Sequence, residues 1–322
     1  MNNKSTESTE PRSSQSSIHE RLAELCIKFH QLQDELLNEA DAAKGARLQQ
    51  IASSLIGLSR EQTDQVLGEL FLSEHSNYNF TKPLYIGVSL VELIRRYNHY
   101  AADVAIDDSE LEQMVVAALG HNLGLLAYEK RVYESQEEYS VEDKRQLREH
   151  YPQQSADILK AVGLDQASIQ DVVRNHNVAS DNPSKQALLM RTPFIYAGIA
   201  MPQNLSAGQR SIDNPSREFA RMFTNQELDP VYGGLYLKIN GLAPIGSILK
   251  LESNERAVVV QGPQDENIMS STVRMLTNRN GVQLLRPGDL YPLNKTPTRH
   301  RGLADHHSFA WTNFSPHMMW EQ

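Results

Sequence analysis

No apolar residue follows Met1 within the first seventeen positions, and from Ile18 the pattern changes at once. Ile18, Leu22, Leu25, Cys26, Phe29, Leu32, Leu36 and Leu37 recur at three- and four-residue steps, which places them on one helical face. A second helix is predicted around Leu48 to Leu58, and Ser59 followed by Gln62 reads as a capping box that opens a third. Pro83 then breaks the pattern, and helix resumes through Val88, Leu90, Val91, Leu93 and Ile94. Asp108 or Ser109 caps another, carrying Leu111, Met114, Val115, Ala118 and Leu119. Further helices are predicted at Val141 to His150, Gln153 to Val162 and Ser168 to His176, the last opened by its serine.

From Leu235 the period shortens. SILKL, RAVVVQ, STVRML and VQLL are β-branched runs punctuated by SNE and TNRNG, which read as short strands joined by tight turns. The pattern predicts a mainly α protein with a small C-terminal β element. No internal repeat breaks it, and low complexity is confined to residues 1–17, which are too polar to offset the entropy of ordering them and are expected to be a disordered tail.

Composition narrows the partners. At 322 residues, about 40% of them apolar, the chain can bury a sizeable core. No apolar run nears the ~18 residues of a membrane span, and residues 1–17 lack the apolar centre of a signal peptide, so cytoplasm is expected. The single cysteine, Cys26, excludes a disulfide framework and a cysteine zinc cluster, and is expected to be a small buried hydrophobe. A net charge of −9 disfavours a nucleic-acid polymer, though not a small anion held by a few arginines.

Candidate chemistry rests on three histidines. AALGHNLGLL, LREHYPQQSADIL and IQDVVRNHNV each deliver one, His121, His150 and His176, near a predicted helix end. Imidazole suits Zn or Fe, but hydrolytic centres usually add carboxylates to neutralise and bridge their metals. Here the following residues are Asn122, Tyr151 and Asn177, and an amide oxygen bridges poorly. Such histidines serve equally as surface residues or as hydrogen-bonded core residues.

In order and spacing the same segments resemble the HD-GYP proteins, a branch of the HD-domain metal-dependent phosphohydrolases that hydrolyse cyclic di-GMP in bacteria. AALGHNLGL stands for that family's AALLHDIGK, YPQQSADIL for its HPxxG segment and NHN for its HHE. LDPVYGGLYLKINGLAPIGSILKLESNERAVVV is similar to the family's C-terminal YPxGSxVxLxxGExAVV part, so the likeness covers roughly residues 65 to 295. It implies an HD-domain-type helical bundle with a small C-terminal β element. It also implies what is missing: Asn122 stands for the metal-bridging aspartate, Leu125 for the catalytic lysine, Tyr151 for the HP histidine, and Asn175 and Asn177 for a histidine and a glutamate. His150 is displaced by one residue and so turned by about 100° around its helix. ASDNPSKQ replaces the GYP loop, Pro193 falls on a late metal-binding aspartate, and no histidine stands near Tyr85, where a first ligand is expected.

The likeness is closest to degenerate members, whose implied role is regulatory. It predicts a non-catalytic bacterial signalling or scaffold protein without a cofactor, acting through protein contacts and cyclic dinucleotide binding. The alternatives are a phosphohydrolase holding Fe, Mn or Zn on His121, His150 and His176, and a metal-free cyclic di-GMP receptor. For nucleotide phosphates the candidate ligands are Arg174, Lys185 and Arg191. The helices of residues 18–64 are expected either to pair with a second copy or to pack on their own bundle. Behind them come the HD-GYP-like region at 65–228 and the C-terminal helix and β element at 229–297. The tail at 298–322 is rich in histidine and tryptophan, and its aromatic density predicts docking in cis or in trans.

Overall fold

Ser17 opens the first helix with a capping box: its side chain accepts from Glu20 N, and the Glu20 carboxylate accepts from Ser17 N at 2.8 Å. The computed structural model describes residues 16–39, 41–73, 78–100, 105–135, 141–177, 183–201, 215–225, 227–264, 267–293, 300–303, 309 and 312–321. The expected tail at residues 1–17 therefore falls almost wholly outside the described residues. Helix α1 (Ile18–Asn38) buries Leu22, Leu25, Phe29, Leu32 and Leu36 in the same core as the later helices, packing on α2, α3 and α5. Its apolar face is thus covered by its own chain.

Helix α2 (Ala42–Leu72) merges two predicted helices across a break at Gln62 (φ −150°, ψ 65°) and runs through the expected boundary at residue 64. Thr63 Oγ1 donates to Ser59 O at 2.6 Å, so that serine sits inside the helix and does not start one. Helix α3 (Tyr78–Tyr100) contains Pro83, which does not break it. Helix α4 (Asp108–Gly120) is capped by Asp107, one residue before the expected cap, and α5 (Leu123–Ser135) follows after two residues. Helix α6 (Val141–Ala161) is continuous through Pro152 where two helices were predicted. Helix α7 (Ala167–Asn175) begins without a side-chain cap: Gln166 holds the N-cap position, and Ser168, expected to open the helix, lies inside it and donates to the Gln113 side chain. Helices α8 (Lys185–Ala200), α9 (Pro215–Thr224) and α10 (Pro230–Asn240) complete the helical part.

Five antiparallel strands follow: β1 (Ile248–Leu251), β2 (Arg256–Gln261), β3 (Thr272–Met275), β4 (Leu290–Pro292) and β5 (His300–Leu303), in the order β4-β3-β2-β1-β5. The TNRNG turn forms with Gly281 at φ +76°, but VQLL contributes only the bridge between Thr277 and Gln283. Strand β5 comes from the stretch expected to be tail; it is an edge strand that pairs with β1.

Alternation along β2 splits the core. Ala257 and Val259 join the large core, while Val258 and Val260 face a second cluster with Ile248, Leu276 and Met319. The C-terminal residues cover that second face in cis. Pro316–Met319 forms a 3-10 turn, Met319 is fully buried, and Trp320 Nε1 donates to Val260 O at 2.8 Å. The indole lies against Gly68 of α2, where a Cβ atom would stand 2.1 Å from the ring. His317 stacks on His19, with centroids 4.2 Å apart, and His19 Nδ1 lies 2.7 Å from Glu69 Oε2.

A polar joint also ties helices to sheet. Glu92 pairs with Arg95 and Arg96, Arg96 donates to Pro263 O at 3.1 Å, and Asp64 accepts from Gly262 N at 3.4 Å. No described helix is long and apolar enough to cross a membrane.

Candidate functional site

His121 and His176 meet in the core. Each is the C-cap of its helix, α4 and α7, and each is at most 2% exposed. The rings cross edge to face with centroids 5.3 Å apart, and Phe194 of α8 packs edge-on to both, at 5.4 Å from His121 and 4.5 Å from His176. Small residues let the helices approach. A Cβ on Gly124 would lie 2.4 Å from Tyr151 O, and one on Gly120 would lie 2.8 Å from the Leu159 side chain. Ser155 bridges the junction, donating to His121 O and accepting from Gly124 N, both at 2.8 Å.

Hydrogen bonds fix both tautomers. His121 Nδ1 donates to Ala118 O at 2.7 Å, and His176 Nδ1 donates to Val173 O at 2.8 Å. That leaves His176 Nε2 as an acceptor, and Tyr151 Oη lies 3.2 Å from it. Asn177 Nδ2 donates in turn to Tyr151 Oη at 2.8 Å. Burial is the main cause that holds both rings neutral. His121 falls well below the usual imidazole range, helped by its neighbour His176, and His176 is pushed down to about 4. The Lys82 ammonium adds to both depressions and stands 4.8 Å over the Phe194 ring, while Arg191 adds to that of His176.

Asn122 is turned away from this pair. Its Nδ2 donates to Asn79 O at 3.0 Å. That carbonyl lies four residues before Pro83, whose ring nitrogen has no hydrogen to give it. The side chain of α4's exit turn therefore completes a hydrogen bond that α3 cannot make for itself. Gln33 of α1 donates to Asn122 Oδ1 at 3.5 Å, and Asn79 Nδ2 donates to the half-buried Glu129 carboxylate at 3.2 Å. Glu129 is raised above the usual carboxylate range by its burial. An aspartate at position 122 would have no hydrogen for Asn79 O.

The other expected residues lie apart. His150 is exposed on α6, and its neighbour Tyr151 is the one that points inward, as the one-residue displacement implied. Among the described residues no three His, Cys, Asp or Glu side chains are grouped to hold a metal. The three expected cations occupy three settings. Arg174 is bonded to Gln170 at 3.2 Å beside Lys160, Asp165 and Asp171, Lys185 lies 4.5 Å over the Tyr97 ring, and Arg191 is near His176. Lys82 and Phe194 are neighbours of the pair that sequence reasoning missed. A search for a histidine near Tyr85 passes over a lysine three positions earlier.

No protein-family model, curated protein or solved structure matches the chain.

Proposed function

We propose that this chain is a non-catalytic signalling or scaffold protein, built on an HD-type helical frame whose former metal site has become core. The observation that carries this reading is the commitment of the ring nitrogens: both Nδ1 atoms serve backbone carbonyls, and His176 Nε2 faces the Tyr151 hydroxyl. A metal would have to displace Tyr151 from Nε2, and would meet a site with Lys82 and Arg191 nearby and no carboxylate among the hydrogen-bond partners of the pair. The frame then serves contacts with protein partners. The apolar face of α1 is already covered, so a second copy would have to dock elsewhere.

Metal content and cyclic di-GMP hydrolysis of the purified protein, with Mn or Fe added, test this reading. The expected result is substoichiometric metal and no turnover. Stoichiometric metal with turnover that His121→Ala abolishes would establish the phosphohydrolase instead.

The positive charge around the pair favours a second reading, a metal-free receptor for an anionic cyclic dinucleotide. Calorimetric titration with cyclic di-GMP under chelator decides it: saturable heat weakened by Lys82→Ala supports the receptor, and a flat titration removes it.

A further inference from the structure

Helix α3 carries a second group of buried polar atoms. Tyr85 and Ser89 lie one turn apart on α3, Tyr236 and Asn240 one turn apart on α10, and all four residues are at most 1% exposed. Tyr196 and Phe219 wall them in, with ring centroids 5.0 and 5.8 Å from that of Tyr236. Tyr196 has a partner for its hydroxyl, Ser216 Oγ at 3.2 Å. Tyr85 Oη, Ser89 Oγ, Tyr236 Oη and Asn240 Oδ1 do not: each is buried and closes no hydrogen bond of good geometry. They are nevertheless neighbours, for Ser89, Asn240 and Tyr85 come near enough to the Tyr236 hydroxyl to act on it as loose hydrogen-bond partners, each drawing its pKa down against the rise that burial causes.

Buried polar atoms almost always have a partner, because each was hydrogen-bonded to water in the unfolded chain. Four orphans gathered in one place therefore mark a shared partner. The inventory specifies it. Asn240 uses its amide nitrogen on Tyr236 O at 3.2 Å, so only its carbonyl oxygen, a pure acceptor, faces the group. The other three members are hydroxyls, each able to give or take a hydrogen. One water molecule can donate to Asn240 Oδ1 and to one hydroxyl oxygen, and accept from the other two hydroxyls. Buried waters typically make about three such bonds. Complete enclosure excludes anything that could not enter through a small local opening.

We propose that an ordered water is a fixed constituent of this core, bonded by Tyr85, Ser89, Tyr236 and Asn240. It joins α3, whose Lys82 stands beside the histidine pair, to α10, which leads into β1.

A crystal structure fine enough to place waters tests this directly. The expected result is a discrete density peak within hydrogen-bond distance of at least three of the four atoms. Thermal unfolding gives an independent sign. If water is present, Tyr85→Phe and Ser89→Ala each strip it of a partner and lower the Tm by roughly 2–6 °C; if the hydroxyls are truly unpaired, both substitutions raise it. No peak overturns the proposal, and the density decides where density and melting disagree.

Discussion

Asn122 supplies, from the turn after α4, the hydrogen that Pro83 withholds within α3: its Nδ2 donates at 3.0 Å to Asn79 O, four residues before the proline. The link is testable by a double-mutant cycle. Asn122→Asp removes the donor, sets a carboxylate against a carbonyl, and is expected to cost about 1–3 kcal/mol in urea unfolding. In a Pro83→Ala background the restored N–H serves Asn79 itself, so the same substitution costs less. Strictly additive costs would show that the two positions are independent.

Acid should weaken the fold through the histidine pair. The folded pKa of His176 is depressed to about 4 from an ordinary 6.5, so the unfolded chain takes up the proton first as pH falls. Its contribution is fully present above pH 6.5 and is lost progressively toward pH 4, by about 3 kcal/mol at most. His121 acts in the same direction.

Asp64 works the opposite way. Burial first, then the nearby Glu92, push it up to about 6 from 3.8, against the Gly262 hydrogen bond and the two arginines. The folded state therefore holds this proton more tightly, and the stability gained from it is lost as pH rises from 3.8 through 6. Asp64→Asn should raise stability at pH 7 by about 2–3 kcal/mol and steepen the loss between pH 6 and 4. Stability measured against pH by urea titration checks both signs; a curve unchanged by the substitution would refute this account of Asp64.

The C-terminal turn should contribute strongly for its size. Trp320→Ala removes a half-buried indole and its bond to Val260 O, and is expected to cost roughly 3 kcal/mol. Gly68→Ala should act on the same contact, because a methyl there would occupy the indole's place. The double variant should lose much less than the sum of the two, as measured by chemical denaturation.

Cys26 should be silent toward thiol reagents. Burial and the Glu69 charge push its thiol up to about 12, so almost no thiolate is present at neutral pH. Alkylation by iodoacetamide is expected only on unfolding, and rapid labelling of the native protein would contradict it.

Periodicity made most of the helices legible, because their apolar positions all face one core. It misjudged Pro83 and the stretch around Pro152, each of which lies inside a continuous helix. Pro83 lies near the start of α3 and its orphan carbonyl has a donor from another helix, so the break never occurs. Pro193, which the resemblance sets on a helix in place of a late metal-binding aspartate, is a buried member of α8. At the site, Tyr151 facing His176 and His150 facing solvent follow from a one-residue shift on a helix. Lys82 and Phe194 were not legible, since their meeting depends on how α3 and α8 cross and on no spacing along either. Strand β5 was hidden by its polar composition: its place in the sheet comes from β1, whose edge it pairs with.

The contact between Gly68 and Trp320 also ties the two hydrophobic clusters together, because the indole packs against both. The notch in α2 seats the ring, and Met319 beside it lies on Val258 and Val260 of β2. Opening of this one turn therefore bares the second face of the sheet while the helices stay packed, so local unfolding here precedes global unfolding as a route to association.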